Sequence, residues 1–145
     1  MRQTLKYILN LIFIQKSIFL FSILVFTTHL SYSQKLSFCE SIDSSTGTPR
    51  KTSTTFTISS GGGFLHVLVT MPNGINSSSI TYDIFRLNEN KLETFESTIH
   101  QDVYPEYTWF SKQITFHTAG NYNVYVYDDK EHLLCVGRVT IKTER

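Results

Sequence analysis

From Phe64 to Met71 the chain reads FLHVLVTM, with Leu65, Val67, Val69 and Met71 on one side of an extended backbone and His66 and Thr70 on the other. The same period of two recurs downstream. Ile80, Tyr82 and Ile84 oppose Thr81 and Asp83 in the run Ile80–Leu87, and Ile114 and Phe116 alternate with Gln113, Thr115 and His117. Tyr122, Val124 and Val126 alternate with Asn123, Tyr125 and Tyr127; Leu133, Cys135, Gly137, Val139 and Ile141 alternate with Leu134, Val136, Arg138 and Thr140. Successive side chains of a strand point to opposite faces, so these runs predict strands with one face on a core. Weaker alternation predicts further strands over Leu36–Ile42, Thr54–Ser59 and Leu92–Ile99. Turn-forming residues separate the runs at Thr48-Pro49, Pro72-Asn73-Gly74, Asn88-Glu89-Asn90 and Asp128-Asp129-Lys130. The polar stretch Asp43–Ser53 predicts a loop, and no segment carries a helical apolar stripe. About seven to eight short strands joined by turns predict an all-β, two-sheet sandwich.

The first residues follow a different pattern. Two apolar runs, Tyr7–Ile14 and Ile18–Phe26, are flanked by Arg2, Lys6 and Lys16, the only charged residues before Lys35. Neither run alone reaches the roughly 20 residues that span a bilayer. Ser31 and Ser33 are small residues two apart, the pattern a signal peptidase accepts. Residues 1–33 therefore read as a cleaved signal peptide, and 34–145 as a single β-sandwich domain with no stable membrane span after cleavage. Tyr32-Ser33-Gln34 resembles the end of Bacteroidetes signal peptides, where glutamine often starts the mature chain. The expected location is outside the cytoplasm, periplasmic or extracellular.

Removing the leader changes the charge. Of 13 basic residues three lie in it, and of 12 acidic residues none do, so the remainder carries 10 − 12 = −2. That balance offers no basic patch for nucleic acid or for an anionic membrane.

At Gly120-Asn121-Tyr122-Asn123-Val124 the chain resembles the G-x-Y-x-V entry to the penultimate strand of immunoglobulin-like domains. The resemblance implies an immunoglobulin-like sandwich and a tyrosine corner, in which the Tyr122 hydroxyl bonds back to upstream backbone. No cysteine stands two residues beyond Tyr122, and Trp109 is too near it to be the usual core tryptophan. The likeness is thus to the broad class, not to antibody domains. In that topology the first strand, or its second half, runs parallel to the last. This implies that Cys39 and Cys135 lie on neighbouring strands and, in an exported chain, form a disulfide. The alternation points the other way: Leu36 and Phe38 inward turn Cys39 outward, while Cys135 faces inward. Two unpaired buried thiols are the alternative. Lipidation of Cys39 is disfavoured, because Phe38 precedes it and a polar stretch separates it from the apolar run.

Gly120–Lys142 also resembles the end of C-terminal sorting domains of the Bacteroidetes type IX secretion route. Gly120, Tyr122, Val124, Gly137, Val139, Ile141 and Lys142 match, while Thr143-Glu144-Arg145 overruns the usual end. This resemblance implies a structural or sorting role with no ligand of its own.

Candidate chemistry is sparse. His66, His100, His117 and His132 are not spaced as metal ligands, and Asp128, Asp129 and Glu131 read as a solvated turn rather than a calcium loop. Ser59–Gly63 (SSGGG) leads into a strand without a following lysine, which suits a bend better than a phosphate loop. Asn76-Ser77-Ser78 is a sequon by pattern and reads as a polar loop. No carboxylate pair or nucleophile–base set stands out, which argues against an enzyme and against a cofactor or metal. The densest aromatic stretch is Tyr104–Phe110, YPEYTWF. Aromatic side chains stack on sugars or anchor protein partners, and they equally cap a core, as Phe110 is expected to do. Tyr104, Tyr107, Trp109, Tyr125 and Tyr127 form the candidate binding surface, for a glycan or a protein. The sequence thus predicts a secreted, non-catalytic binding or adhesion module, with the sorting-type domain as the alternative.

Overall fold

Each alternating run becomes a strand in the computed structural model, which describes residues 34–144; the signal peptide expected over 1–33 lies outside the described residues. The strands are β1 (Lys35–Ile42), β2 (Pro49–Thr52), β3 (Thr55–Ile58), β4 (Gly63–Thr70), β5 (Ser79–Leu87), β6 (Glu93–Asp102), β7 (Trp109–Phe116), β8 (Gly120–Tyr127) and β9 (Leu133–Thr143). They form a four-stranded sheet, β2-β1-β4-β7, and a five-stranded sheet, β3-β9-β8-β5-β6. The hairpins β1–β2, β5–β6 and β8–β9 stay within a sheet, whereas the connections after β2, β3, β4, β6 and β7 cross between sheets. β3 runs parallel to β9, and every other pairing is antiparallel. This is an immunoglobulin-like β-sandwich: an early strand crosses over to pair in parallel with the last one.

The core is what the alternation requires. Val67, Val69, Ile114 and Phe116 face Ile80, Tyr82, Ile84, Val124, Val126, Val139 and Ile141 from the other sheet, all of them buried. Tyr82 lies wholly inside, and its hydroxyl donates to Gln101 Oε1 at 2.7 Å. The Gln101 amide in turn donates to the Ser111 carbonyl at 3.1 Å, so one side chain of β6 ties the five-stranded sheet to β7.

The corner forms at β8. The buried Tyr122 hydroxyl donates to the Thr118 carbonyl at 2.9 Å, and Thr118 Oγ1 lies 2.9 Å from the same oxygen. Because the single phenolic proton goes to the carbonyl, the threonine hydroxyl supplies the second bond. Arg86 donates to the Ala119 carbonyl at 2.9 Å and holds the same turn from β5.

Two expectations are corrected. The stretch Asp43–Ser53, read as a loop, contains the short strand β2. It pairs only with β1, through Thr52, Arg50 and Pro49, and is almost entirely exposed. An edge strand with no buried face leaves no apolar alternation in the sequence to announce it. The expected Cys39–Cys135 disulfide is absent, and both thiols are free. Cys39 stands on β1 opposite His66 of β4, whereas Cys135 stands on β9 opposite Val126. The strand that pairs with β9 is β3, not β1. Cys39 also points away from the core while Cys135 packs against it, so a sheet separates the two sulfurs. Burial pushes the Cys135 thiol up to about 12 and raises that of Cys39 as well, which keeps both protonated and unreactive at neutral pH.

Candidate functional site: two aromatic surfaces

Three loops meet at one end of the sandwich, those joining β4 to β5, β6 to β7 and β8 to β9. Backbone bonds knit the first two together: Met71 N donates to Thr108 O at 2.7 Å, Ile75 N to Tyr107 O at 2.9 Å, Asn76 N to Pro105 O at 3.0 Å and Val103 N to Ser78 O at 3.0 Å. Ile75 and Met71 are buried beneath them. The third loop is latched on by Asp129. Its Oδ2 accepts from the Ser78 amide at 3.1 Å and the Ser78 hydroxyl at 3.0 Å, while its own amide donates to Ser77 Oγ at 3.0 Å. Those bonds from Ser78 hold the Asp129 carboxyl below its usual range. On this fixed base Tyr104 and Tyr107 stand 62% and 52% exposed, their ring centroids 5.2 Å apart and tilted by 48°.

The second surface is the outer face of the five-stranded sheet. Phe85 lies at its centre, edge-on to Phe95 at 5.7 Å and to Tyr125 at 5.5 Å. Glu93 reaches across from β6, and its Oε1 accepts from Asn123 at 2.6 Å and from the Tyr125 hydroxyl at 2.7 Å. Arg138 Nε donates to Asn123 Oδ1 at 2.9 Å and completes the row. The bonds from Asn123 and Tyr125 keep the Glu93 carboxyl below its usual range, and the bond to Glu93 raises the Tyr125 phenol. Beside Tyr125, on β9, Val136 is exposed.

The five candidate aromatics therefore divide among three places. Tyr104 and Tyr107 meet at the loop end. Tyr125 and Tyr127 lie on β8, in the five-stranded sheet. Trp109 begins β7 in the other sheet and is half-buried, its indole packed so closely on Gly47 that a Cβ there would lie 2.5 Å from the ring. Phe85 and Phe95 belong to the sheet-face cluster and were missed by the sequence reading. The signal for Phe85 was present, since it falls in phase with Thr81 and Asp83, opposite the core set. Phe95 follows a register shift at Ile84/Phe85 and could not be phased by counting. Among the described residues no group of three or more His, Cys, Asp or Glu side chains could hold a metal ion.

No protein-family model matches the chain, and no curated protein matches it in sequence. Solved structures with a similar course of the backbone include an immunoglobulin-like protein from Pseudomonas aeruginosa, 10% identical, TM-score 0.49, covering 74% of this chain and 92% of that one. A superoxide reductase (neelaredoxin) from Ignicoccus hospitalis is 12% identical, TM-score 0.42, over 78% of this chain and 81% of that one. The PmoD soluble domain from a Methylocystis species is 12% identical, TM-score 0.44, over 77% of this chain and 94% of that one.

Proposed function

We infer that this protein is an exported, non-catalytic binding or adhesion module whose contact surface is the loop end carrying Tyr104 and Tyr107. One observation carries the reading: two large aromatic side chains are more than half exposed on loops fixed to one another by backbone bonds and by Asp129. Large amphipathic rings on a rigid base bury much surface on contact and lose little conformational freedom, which is how binding surfaces concentrate affinity. The two rings contact one another at a tilt of 48° and turn an amphipathic aromatic surface to solvent. A glycan ring or an apolar side chain of a partner protein would pack on that surface.

The test is a screen of glycans and cell-surface proteins with the purified protein, repeated with Tyr104→Ala/Tyr107→Ala. Loss of binding in the double variant, with the denaturation midpoint unchanged, is the expected result. Binding that survives undiminished would remove this surface from consideration. Against the sorting-type alternative stand the buried side chains of the last two strands. Tyr122, Val124, Val126, Val139 and Ile141 are all core, so a domain that lost β8 and β9 in processing would lose its fold.

A further inference from the structure

Two strand margins in this sandwich lack partners where they run closest. β3 covers the edge of β9 only at Thr140–Thr143, whereas β8 lines the opposite edge from Leu133 to Ile141. From Leu133 to Val139, the edge of β9 away from β8 has no strand beside it among the described residues. β1 is similar. β4 pairs with it from Lys35 to Cys39, but β2 reaches only Cys39 to Ile42 on the other side. A groove of about 560 Å³ lies between these two margins, stopped at one end by Thr52–Thr54, where the chain passes from β2 to β3. Gly137 permits this arrangement: a Cβ there would fall 2.2 Å from Leu36 Cδ2, so only glycine lets Leu36 lie flat against β9 and floor the groove.

The lining has a consistent chemistry. Among the described residues two cations, Lys35 and Arg138, border it and no carboxylate lines it, although Glu93 lies near Arg138 on the outer face. Lys35 is exposed and makes no ion pair among the described residues, and Arg138 commits its Nε to Asn123. Half-buried Leu36 and exposed Val136 supply apolar contact. An unpaired strand edge offers alternating N–H and C=O groups at fixed spacing, which an extended chain satisfies by lying alongside. The open length of β9 suits about six residues, roughly 20 Å of extended backbone.

We propose that this groove captures an extended acidic segment of another protein, which joins the five-stranded sheet beside β9 in line with β3. Its backbone bonds to the β9 edge, its inward side chains are apolar and meet Leu36, and its outward side chains are carboxylates that face Arg138, with Lys35 at the border of the groove. The site is separate from the Tyr104–Tyr107 pair and does not depend on it.

The probes are two end-blocked hexapeptides, one alternating valine with glutamate and the other valine with lysine, titrated into the purified, isotope-labelled protein. The glutamate peptide is expected to shift and protect backbone amides within Leu133–Arg138 and to shift Lys35. Lys35→Glu/Arg138→Glu is expected to weaken it by about tenfold and to reverse the preference toward the lysine peptide. Lys35→Gln alone, an exposed change that leaves the Arg138–Asn123 bond intact, gives a smaller loss in the same direction and guards against misfolding of the double variant. Shifts confined to Tyr104 and Tyr107 would overturn the groove while leaving the loop-end reading intact. Equal affinity for both peptides, or no response of the β9 amides, would also overturn it. Protection of the same amides that grows with protein concentration and without peptide would assign the groove to a second copy of this chain instead.

Discussion

On the outer face of the four-stranded sheet Leu68 and Cys39 are 2% and 0% exposed, whereas on that of the five-stranded sheet Phe95 and Val136 are 57% and 46% exposed. On the four-stranded side the chain between β1 and β2 reaches back to Trp109 of β7, which carries it across β4. The turn Asp43–Thr48 closes on itself through Asp43 N to Thr48 O at 2.9 Å and Gly47 N to Asp43 O at 2.8 Å, and it sets Gly47 against the Trp109 ring. The cover stops short of Phe64, which is exposed with its ring edge-on to His66. Among the described residues no equivalent segment crosses the five-stranded sheet. That face carries the aromatic row around Phe85, the polar clasp of Glu93, Asn123, Tyr125 and Arg138, and the cross-strand pairs Thr81–His100 and Thr140–Asn121. One face is thus a small second core with a lid. The other is left open, and exposed apolar surface of that kind is where a partner gains most from contact.

Substitutions separate the two faces. The largest effect is expected at Leu68→Ala, which leaves a cavity under the lid and costs about 3 kcal/mol in chemical denaturation. A loss under about 1 kcal/mol would mean the lid opens in solution. Gly47→Ala comes next. The residue has φ +69°, where alanine is strained, and the added carbon meets the indole. Displacing the lid is expected to cost about 2 kcal/mol and to shift Trp109 emission to the red, since Trp109 is the sole tryptophan. An unshifted spectrum would place the lid elsewhere in solution.

Tyr122→Phe touches neither face and calibrates the pair. Loss of the corner bond to Thr118 is expected to lower stability by about 1 kcal/mol. Phe95→Ala on the open face is expected to cost only about 0.5 kcal/mol, because the ring is already mostly in water. A cost like that of Leu68→Ala would show that this face is covered after all.

The smallest effect concerns pH. The Glu93 carboxyl is held below its usual range in the folded protein by Asn123 and Tyr125, so folding favours its charged form. The resulting stability is present above the ordinary carboxylate range and lost as pH falls through the lowered folded value. Glu93→Gln is expected to flatten the acid limb of the stability profile slightly, as followed by thermal melts between neutral and acidic pH. An unchanged acid limb would show that the clasp does not persist in water.

How much of this was legible beforehand depends on whether the information is local. The strands built from Phe64–Met71, Ile80–Leu87 and Tyr122–Tyr127 follow from alternation, because a period of two is a property of neighbours in the chain and burial of one face enforces it. The corner at Tyr122 was legible for the same reason, since its acceptor is only four residues away. What the chain does at long range was not. Whether β1 or β3 lies beside β9 decides the fate of Cys39 and Cys135, and nothing near either cysteine records that choice. β2 carries no buried face, so its composition is that of a loop. Trp109 belongs to an aromatic cluster along the chain and to a lid in space, because Gly47, which accepts its ring, lies more than 60 residues away. The sequence by itself determined the strands that bury one face and which side of each of them faces inward. Only the tertiary structure decided which outer face is covered and which strand edges stay open, since both depend on where distant segments cross rather than on the residues that the crossing covers.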